Sequence, residues 1–187
     1  MNENPKAYKS VRLPCFAYNE PGAYFVTICT AGRACVLGAI ENDTAHLTDV
    51  GEIVREELLR SFSIRKELML DCHVIMPNHL HVVVIIGDAD GAHYRAALRE
   101  SASYDADLKR GTRQRSARSI SSFVAQFKAV STKRVNELRR GSGERLWQPS
   151  FYEHVIRTDD DLNGIRVYVQ SNPAQWALDR ENPDVHP

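Results

Sequence analysis

The chain has 187 residues, 43% of them hydrophobic, and its 24 basic and 24 acidic side chains leave no formal net charge. That is enough chain for one domain with a sizeable core, and the longest apolar run, Val82 to Ile86, is far too short to span a membrane. The opening MNENPKAYKS lacks an apolar signal core, and Cys15, Cys29, Cys35 and Cys72 show no CxxC spacing, so export, a disulfide framework and a cysteine zinc site are not expected and the cytoplasm is the default.

Residues 1–20 carry scattered Pro and Tyr without periodicity and read as an irregular arm. After the Pro21-Gly22 turn signal, Tyr24 to Thr30 is rich in β-branched and aromatic residues and predicts a first strand. A weak hairpin signal spans Cys35 to His46. Thr48 opens a helix whose Val50, Ile53, Val54 and Leu58 recur at helical spacing, with Glu52, Glu56 and Glu57 off that stripe. Leu68, Leu70, Cys72 and Val74 then alternate with Met69, Asp71 and His73, the pattern of a half-buried strand. Pro77-Asn78 makes a turn into a second strand, His79 to Ile86.

Between residues 88 and 118 the pattern dissolves into Gly, Ala, Ser and charge, as in an insertion or long loop open to disorder. Ser119 is the predicted N-cap of a long helix with Ile120, Phe123, Val124, Phe127, Val135 and Leu138 on one face, stopped by Gly141-Ser142-Gly143. A strand follows from Phe151. Thr158 with Asp161 resembles an acidic capping box for a last helix ending near Ser171, because Pro173 disfavours helical geometry at Asn172. The remainder, 177–187, is a polar tail after a domain spanning 21–176. Strand, helix, strand, strand, helix, strand, helix predicts an α+β fold: a ferredoxin-like βαββαβ antiparallel sheet with two helices on one face and an additional C-terminal helix.

In an extended MPNHLHVVVIIG, His79 and His81 share a face, with Cα atoms roughly 6–7 Å apart, close enough for both imidazoles to reach one ion. On the last helix Leu162, Ile165 and Val169 form the buried stripe, and Tyr168 and Asn172 stack at i and i+4 along its edge. Gly164 leaves space beside the phenol. Packed on the sheet, that helix would aim a phenol and an amide oxygen at the histidine pair. Such a set suits phosphodiester chemistry, with a cation polarising a phosphoryl oxygen and a tyrosine attacking in line.

MPNHLHVVV, FYEHVIR and YVQSNP together resemble the REP-associated tyrosine transposases, in the single-tyrosine branch of the HUH (histidine–hydrophobe–histidine) nucleases, over about Tyr24 to Pro173. The resemblance implies a domain that cuts single-stranded DNA at imperfect palindromic hairpins through a 5′-phosphotyrosine, with Mg²⁺ or Mn²⁺ as cofactor. By that pattern His79, His81 and Asn172 are metal ligands and Tyr168 is the nucleophile. Imidazole suits Mn²⁺ better than Mg²⁺, which prefers oxygen. The partner would be single-stranded or hairpin DNA, with no membrane, and the protein a monomer or homodimer.

Although the chain is neutral, its cations cluster, and Arg110, Arg113, Arg115, Lys128, Lys133 and Arg140 are the candidates for tracking phosphates. Trp147 is a candidate for base stacking or for the core. Tyr152, the rival nucleophile, reads as a packed aromatic, and His154 as a structural or DNA contact. His46, His73, His93 and His186 have no converging partner. A hairpin-binding protein that moves no DNA is the alternative on the same scaffold. A water-using zinc hydrolase lacks an acidic residue in the motif.

Overall fold

Strand β1 (Gly22–Cys29) carries Tyr24, Val26 and Ile28 on one side and Ala23, Phe25 and Thr27 on the other, and all six are buried, so it can only be a central strand. The computed structural model describes residues 21–87, 119–141, 143–183 and 185. The expected arm at 1–20 and insertion at 88–118 lie outside the described residues.

A hairpin follows β1, formed by β2 (Gly38–Glu41) and β3 (Thr44–Leu47). Its two turn residues, Asn42 and Asp43, both have positive φ (49° and 60°), the geometry that matches the twist of a tight hairpin. Helix α1 (Asp49–Ile64) starts where the Thr48 hydroxyl accepts from the Gly51 amide at 3.2 Å. Gly51 is required sterically, since a Cβ there would sit 2.0 Å from the Leu37 carbonyl oxygen. Strands β4 (Leu68–Ile75) and β5 (His79–Ile86) form the second hairpin. Helix α2 (Ile120–Leu138), capped by Ser119, then β6 (Tyr152–Ile156) and α3 (Asp159–Ser171), capped by Thr158, complete the series.

The fold is α+β, as the element order predicts. Its four-stranded sheet runs β4-β5-β1-β6 with every neighbouring pair antiparallel. Helices α1 and α2 pack together over one face, on Tyr24, Val26, Ile28, Leu80, Val82 and Val84. Helix α3 covers the opposite face, on Ala23, Phe25, Val83, Ile85 and Ile156. Each large apolar side chain fully buried in these layers contributes about 1.5–3 kcal/mol of transfer free energy.

Four expectations change. Leu68 and Leu70 face α1 and α2, but pairing slips between Leu70 and Cys72, so Cys72 and Val74 face α3. The extra residue, Asp71, makes a β-bulge, which breaks the single-face reading of this strand. Glu57, placed on the solvent side of α1, is buried and accepts from Arg134 Nη1 of α2 at 2.9 Å, an ion pair that offsets part of the cost of burying it. Leu138, assigned to the buried face of α2, is exposed at the helix end. Asn172 keeps helical angles (φ −58°, ψ −40°), because the chain runs on from α3 into a 3-10 turn, Pro173–Leu178. Trp147 is resolved as core: it is buried, and its indole N–H donates to Ser131 Oγ at 2.9 Å.

Candidate active site

The Pro77-Asn78 turn starts β5, so that His79 and His81 leave the strand on the α3 side and Leu80 on the other. Opposite them on β1 stand Cys29 and Thr27. The two imidazoles are buried with ring centroids 4.5 Å apart and their Nε2 atoms 3.1 Å apart. Asn78 is fixed by its amide nitrogen, which donates to the carbonyls of Arg33 at 3.1 Å and Glu181 at 2.6 Å. Its oxygen therefore faces His79 and accepts from the Nδ1–H at 2.9 Å, leaving an Nε2 lone pair free. The Thr27 hydroxyl lies 2.8 Å from His81 Nδ1 and can accept or donate, so it serves either tautomer.

Helix α3 docks through Leu162 and Val169, with Ile165 beside them, as its stripe predicts. Its N-terminus is tied to β6 by His154, whose Nε2 lies 2.9 Å from Asp161 Oδ2, so Asp161 serves His154 while only the Thr158 half of the capping pair forms. On the flank of the stripe, the Tyr168 hydroxyl lies 3.2 Å from His81 Nε2, and its ring meets Phe25 edge-on. Asn172 is buried, and its Nδ2 donates to Asp179 Oδ2 at 3.1 Å. Its Oδ1 is also buried and makes no hydrogen bond. At Gly164 a Cβ would meet nothing within 4 Å.

Asp179 is the residue that sequence reasoning missed. It lies in the stretch read as polar tail, yet it is buried, with Oδ2 4.0 Å from His79 Nε2. The segment after α3 folds back over the histidines: Trp176 packs 6.1 Å from the His79 ring, and Asp179 Oδ1 accepts from the Glu181 amide at 2.7 Å. An available signal was a pair of carboxylates, Asp179 and Glu181, within ten residues of Asn172.

Burial lowers the pKa of His79, and Asp179, Glu181 and the Asn172 amide offset only part of that. Burial first, and then the charge of His79, hold His81 well below the ordinary imidazole value. Both rings are therefore neutral near pH 7, the form that binds metals. Burial and the nearby Asp179 raise the Tyr168 phenol, with Asn172 acting against them. Cys29 is pushed up to about 12 by burial and by Glu181, so it stays a thiol and offers no thiolate.

The donor set fits a divalent cation. His79, His81 and Asp179 present one ligand atom each, all within 4.8 Å of one another. Two nitrogens on one ion, each about 2.0–2.1 Å from it, stand roughly 3 Å apart, as these do. The orphaned Asn172 oxygen beside them is the kind of buried acceptor that a bound ion would satisfy.

Among the described residues, the predicted basic side chains do not converge here. Arg110, Arg113 and Arg115 lie outside the described residues. Helix α2 covers the opposite face of the sheet. Lys128 Nζ donates to the carbonyls of Gln148 at 2.8 Å and Ser150 at 2.7 Å, and burial lowers its pKa to about 8. Lys133 and Arg140 are exposed, the former 3.9 Å from Glu137. Tyr152, expected to be packed, is 53% exposed on the edge strand β6. Among the described residues no helix is long and apolar enough to cross a membrane.

No protein-family model matches the chain. An uncharacterised protein of Haemophilus influenzae is 32% identical over 174 residues, covering 92% of this chain and 91% of that one. Among solved structures, a REP-associated tyrosine transposase bound to a REP hairpin superposes with a TM-score of 0.53 at 19% identity, over 94% of this chain and 74% of that one. The chain therefore belongs to one family with the Haemophilus influenzae protein, and it is built on the fold of the REP-associated tyrosine transposase.

Proposed function

We propose that the protein is a metal-dependent single-stranded DNA endonuclease and strand transferase that acts on REP-like hairpins with Tyr168 as its nucleophile. The observation that carries this reading is the phenol of Tyr168 lying 3.2 Å from an imidazole of a buried, neutral histidine pair. A lone edge tyrosine has no need of such a neighbour. The structural neighbour in complex with a REP hairpin supports the choice of substrate.

His79, His81 and Asn172 would hold the cation, with Asp179 in reach. Bound there, Mg²⁺ or Mn²⁺ would supply Lewis-acid polarisation of a phosphoryl oxygen. The rest belongs to the chain. Tyr168 oxygen bonds to phosphorus while the bond from phosphorus to the 3′-oxygen breaks. The phenol proton is given up, and the leaving 3′-oxygen takes one. The products are a 5′-phosphotyrosine and a 3′-hydroxyl, and the reverse attack rejoins strands. A phenol is protonated at neutral pH, and burial and Asp179 raise its pKa further, so Tyr168 must lose its proton as it attacks. Asn78 and Thr27 hold the two imidazoles by Nδ1 and so orient their Nε2 atoms.

Tyr168 stands beside the histidines of its own chain, which favours attack in cis, by a monomer or by each half of a homodimer. Lys133 and Arg140, on the far face, would serve phosphates away from the cut, and a DNA substrate suits the cytoplasm. Asp179 gives a second reading some support, since it supplies the acidic group that a water-using hydrolase needs. One experiment separates them. A labelled hairpin with single-stranded flanks, incubated with Mn²⁺, should yield a protein–DNA adduct that survives denaturation and is absent from Tyr168→Phe. Cleavage without an adduct would favour water, and an adduct retained by Tyr168→Phe would reject the assignment.

A further inference from the structure

Helix α3 rests on a narrow apolar stripe, with Arg166 and Tyr168 on opposite flanks. At about 100° per residue, Arg166 lies roughly 65° to one side of the stripe centre and Tyr168 roughly 95° to the other. A stripe of this kind fixes the height of a helix above a sheet better than its roll. A roll of about 15° moves a group ~6 Å from the axis by ~1.5 Å, and a misplacement of ~1 Å at a reacting centre costs ~100-fold in rate.

One contact opposes that roll on the flank away from Tyr168. Arg166 Nε donates to Asp71 Oδ2 at 2.8 Å, and Nη2 donates to Asp71 Oδ1, a planar fork on a carboxylate. A third nitrogen, Nη1, donates to Asn163 Oδ1 on the same helix at 3.2 Å, which stiffens the side chain. Asp71 is the extra residue of the β4 bulge. The bulge adds a carboxylate facing α3 while Cys72 and Val74 stay in the apolar contact beneath the helix.

We infer that the Asp71–Arg166 fork is a positioning device that sets the roll of α3 and, through it, the distance from the Tyr168 hydroxyl to His81. Arg166 and Asp71 touch neither DNA nor the ion in this role. The inference rests on the reading of Tyr168 as the attacking group.

The test uses the full chain, the flanked hairpin and Mn²⁺, with Arg166→Ala, Arg166→Lys and Asp71→Asn, and Arg55→Ala of the surface Arg55–Glu52 pair as control. Three quantities are read: the single-turnover rate of adduct formation, the Kd for the hairpin in a Tyr168→Phe background, and the magnetisation transfer between the Tyr168 and His81 rings, whose centroids are 5.3 Å apart. Arg166→Ala and Asp71→Asn should slow attachment ~10–100-fold, leave Kd within about twofold and weaken the ring–ring signal. Arg166→Lys, which keeps the charge without the fork, should recover part of the rate, and Arg55→Ala should match wild type. If Arg166→Ala does not fold, the near-isosteric Asp71→Asn carries the test. Attachment within about twofold of wild type in Asp71→Asn, or rate and Kd worsening together, would overturn the inference. A wild-type chain that forms no adduct while Asp71→Asn still loses the ring–ring signal would sink the nucleophile reading and leave the fork's positional role standing.

Discussion

Leu80, Val82, Val84 and Ile86 leave β5 on one side of the sheet, and His79, His81, Val83 and Ile85 leave it on the other. The first side lies in the main apolar cluster, against the aromatic rings of α2 and Trp147. The second is apolar only at one end, where Val83 and Ile85 lie near Leu162 and Phe25; at the other end it holds imidazoles, an amide and carboxylates. The same eight residues thus serve as core and as chemistry. The alternation of an extended chain lets them do so without compromise, since a change on one face leaves the other in register.

That contrast can be broken most sharply at Tyr168. Tyr168→Phe removes one oxygen from the polar end and should reduce adduct formation by at least ~10³-fold, with thermal unfolding nearly unchanged. A smaller split is expected between neighbours on β5. Leu80→Ala should cost about 2–5 kcal/mol in urea denaturation. His81→Gln should cost nearer 1 kcal/mol, the scale of one lost hydrogen bond, yet abolish tight Mn²⁺ binding by calorimetry. Equal stability losses would mean that the two faces are energetically alike.

Acid should find the polar end first. Both histidines have folded pKa values below about 6.5, so the unfolded chain takes up protons more readily, and the stability tied to the neutral pair is full above that pH and lost as pH falls below it. The urea midpoint should fall between pH 7 and pH 5 more for wild type than for the His79→Gln/His81→Gln double variant. Matching pH profiles would contradict the assignment of neutral imidazoles. Weaker still, Lys133→Ala with Arg140→Ala should reduce the slope of log Kd against log salt by about 1–2 while leaving the attachment rate at saturating DNA intact. Least of all, Tyr152→Phe should keep adduct formation within about twofold of wild type, since its exposed ring sits on the edge strand β6 with Thr27 of β1 standing between it and His81 in register.

Much of this was legible because it is local. The β5 alternation, the α3 stripe and the caps at Thr48, Ser119 and Thr158 all depend on residues within one turn or one strand, and each forms as read except for the Asp161 half of the Thr158 capping pair. What escaped is set by tertiary contact. No pattern around Asp71 announces a bulge, because the slip is a property of two paired strands. Glu57 looks like a surface acid until Arg134 arrives from α2. Asp179 becomes a site residue only when the chain turns back after Pro173, and Asn172 is legible as a helix-end amide while its unpaired oxygen is visible only in three dimensions. The set of cations proposed to track phosphates was the least legible part, because clustering in sequence counted Lys128 among them, whereas packing commits it to two carbonyls.

The separation of the histidines from Asp179 has a temporal consequence. The ribosome completes His79 a hundred residues before Asp179 (179 − 79 = 100) and 89 before Tyr168 (168 − 79 = 89). At roughly 5–20 residues per second, the imidazoles exist for about 5–20 s without the phenol and carboxylate that finish the constellation. On the proposed reading, a nascent chain cannot attach to DNA before Tyr168 is made, and competence requires α3 and the returning segment to close over β5.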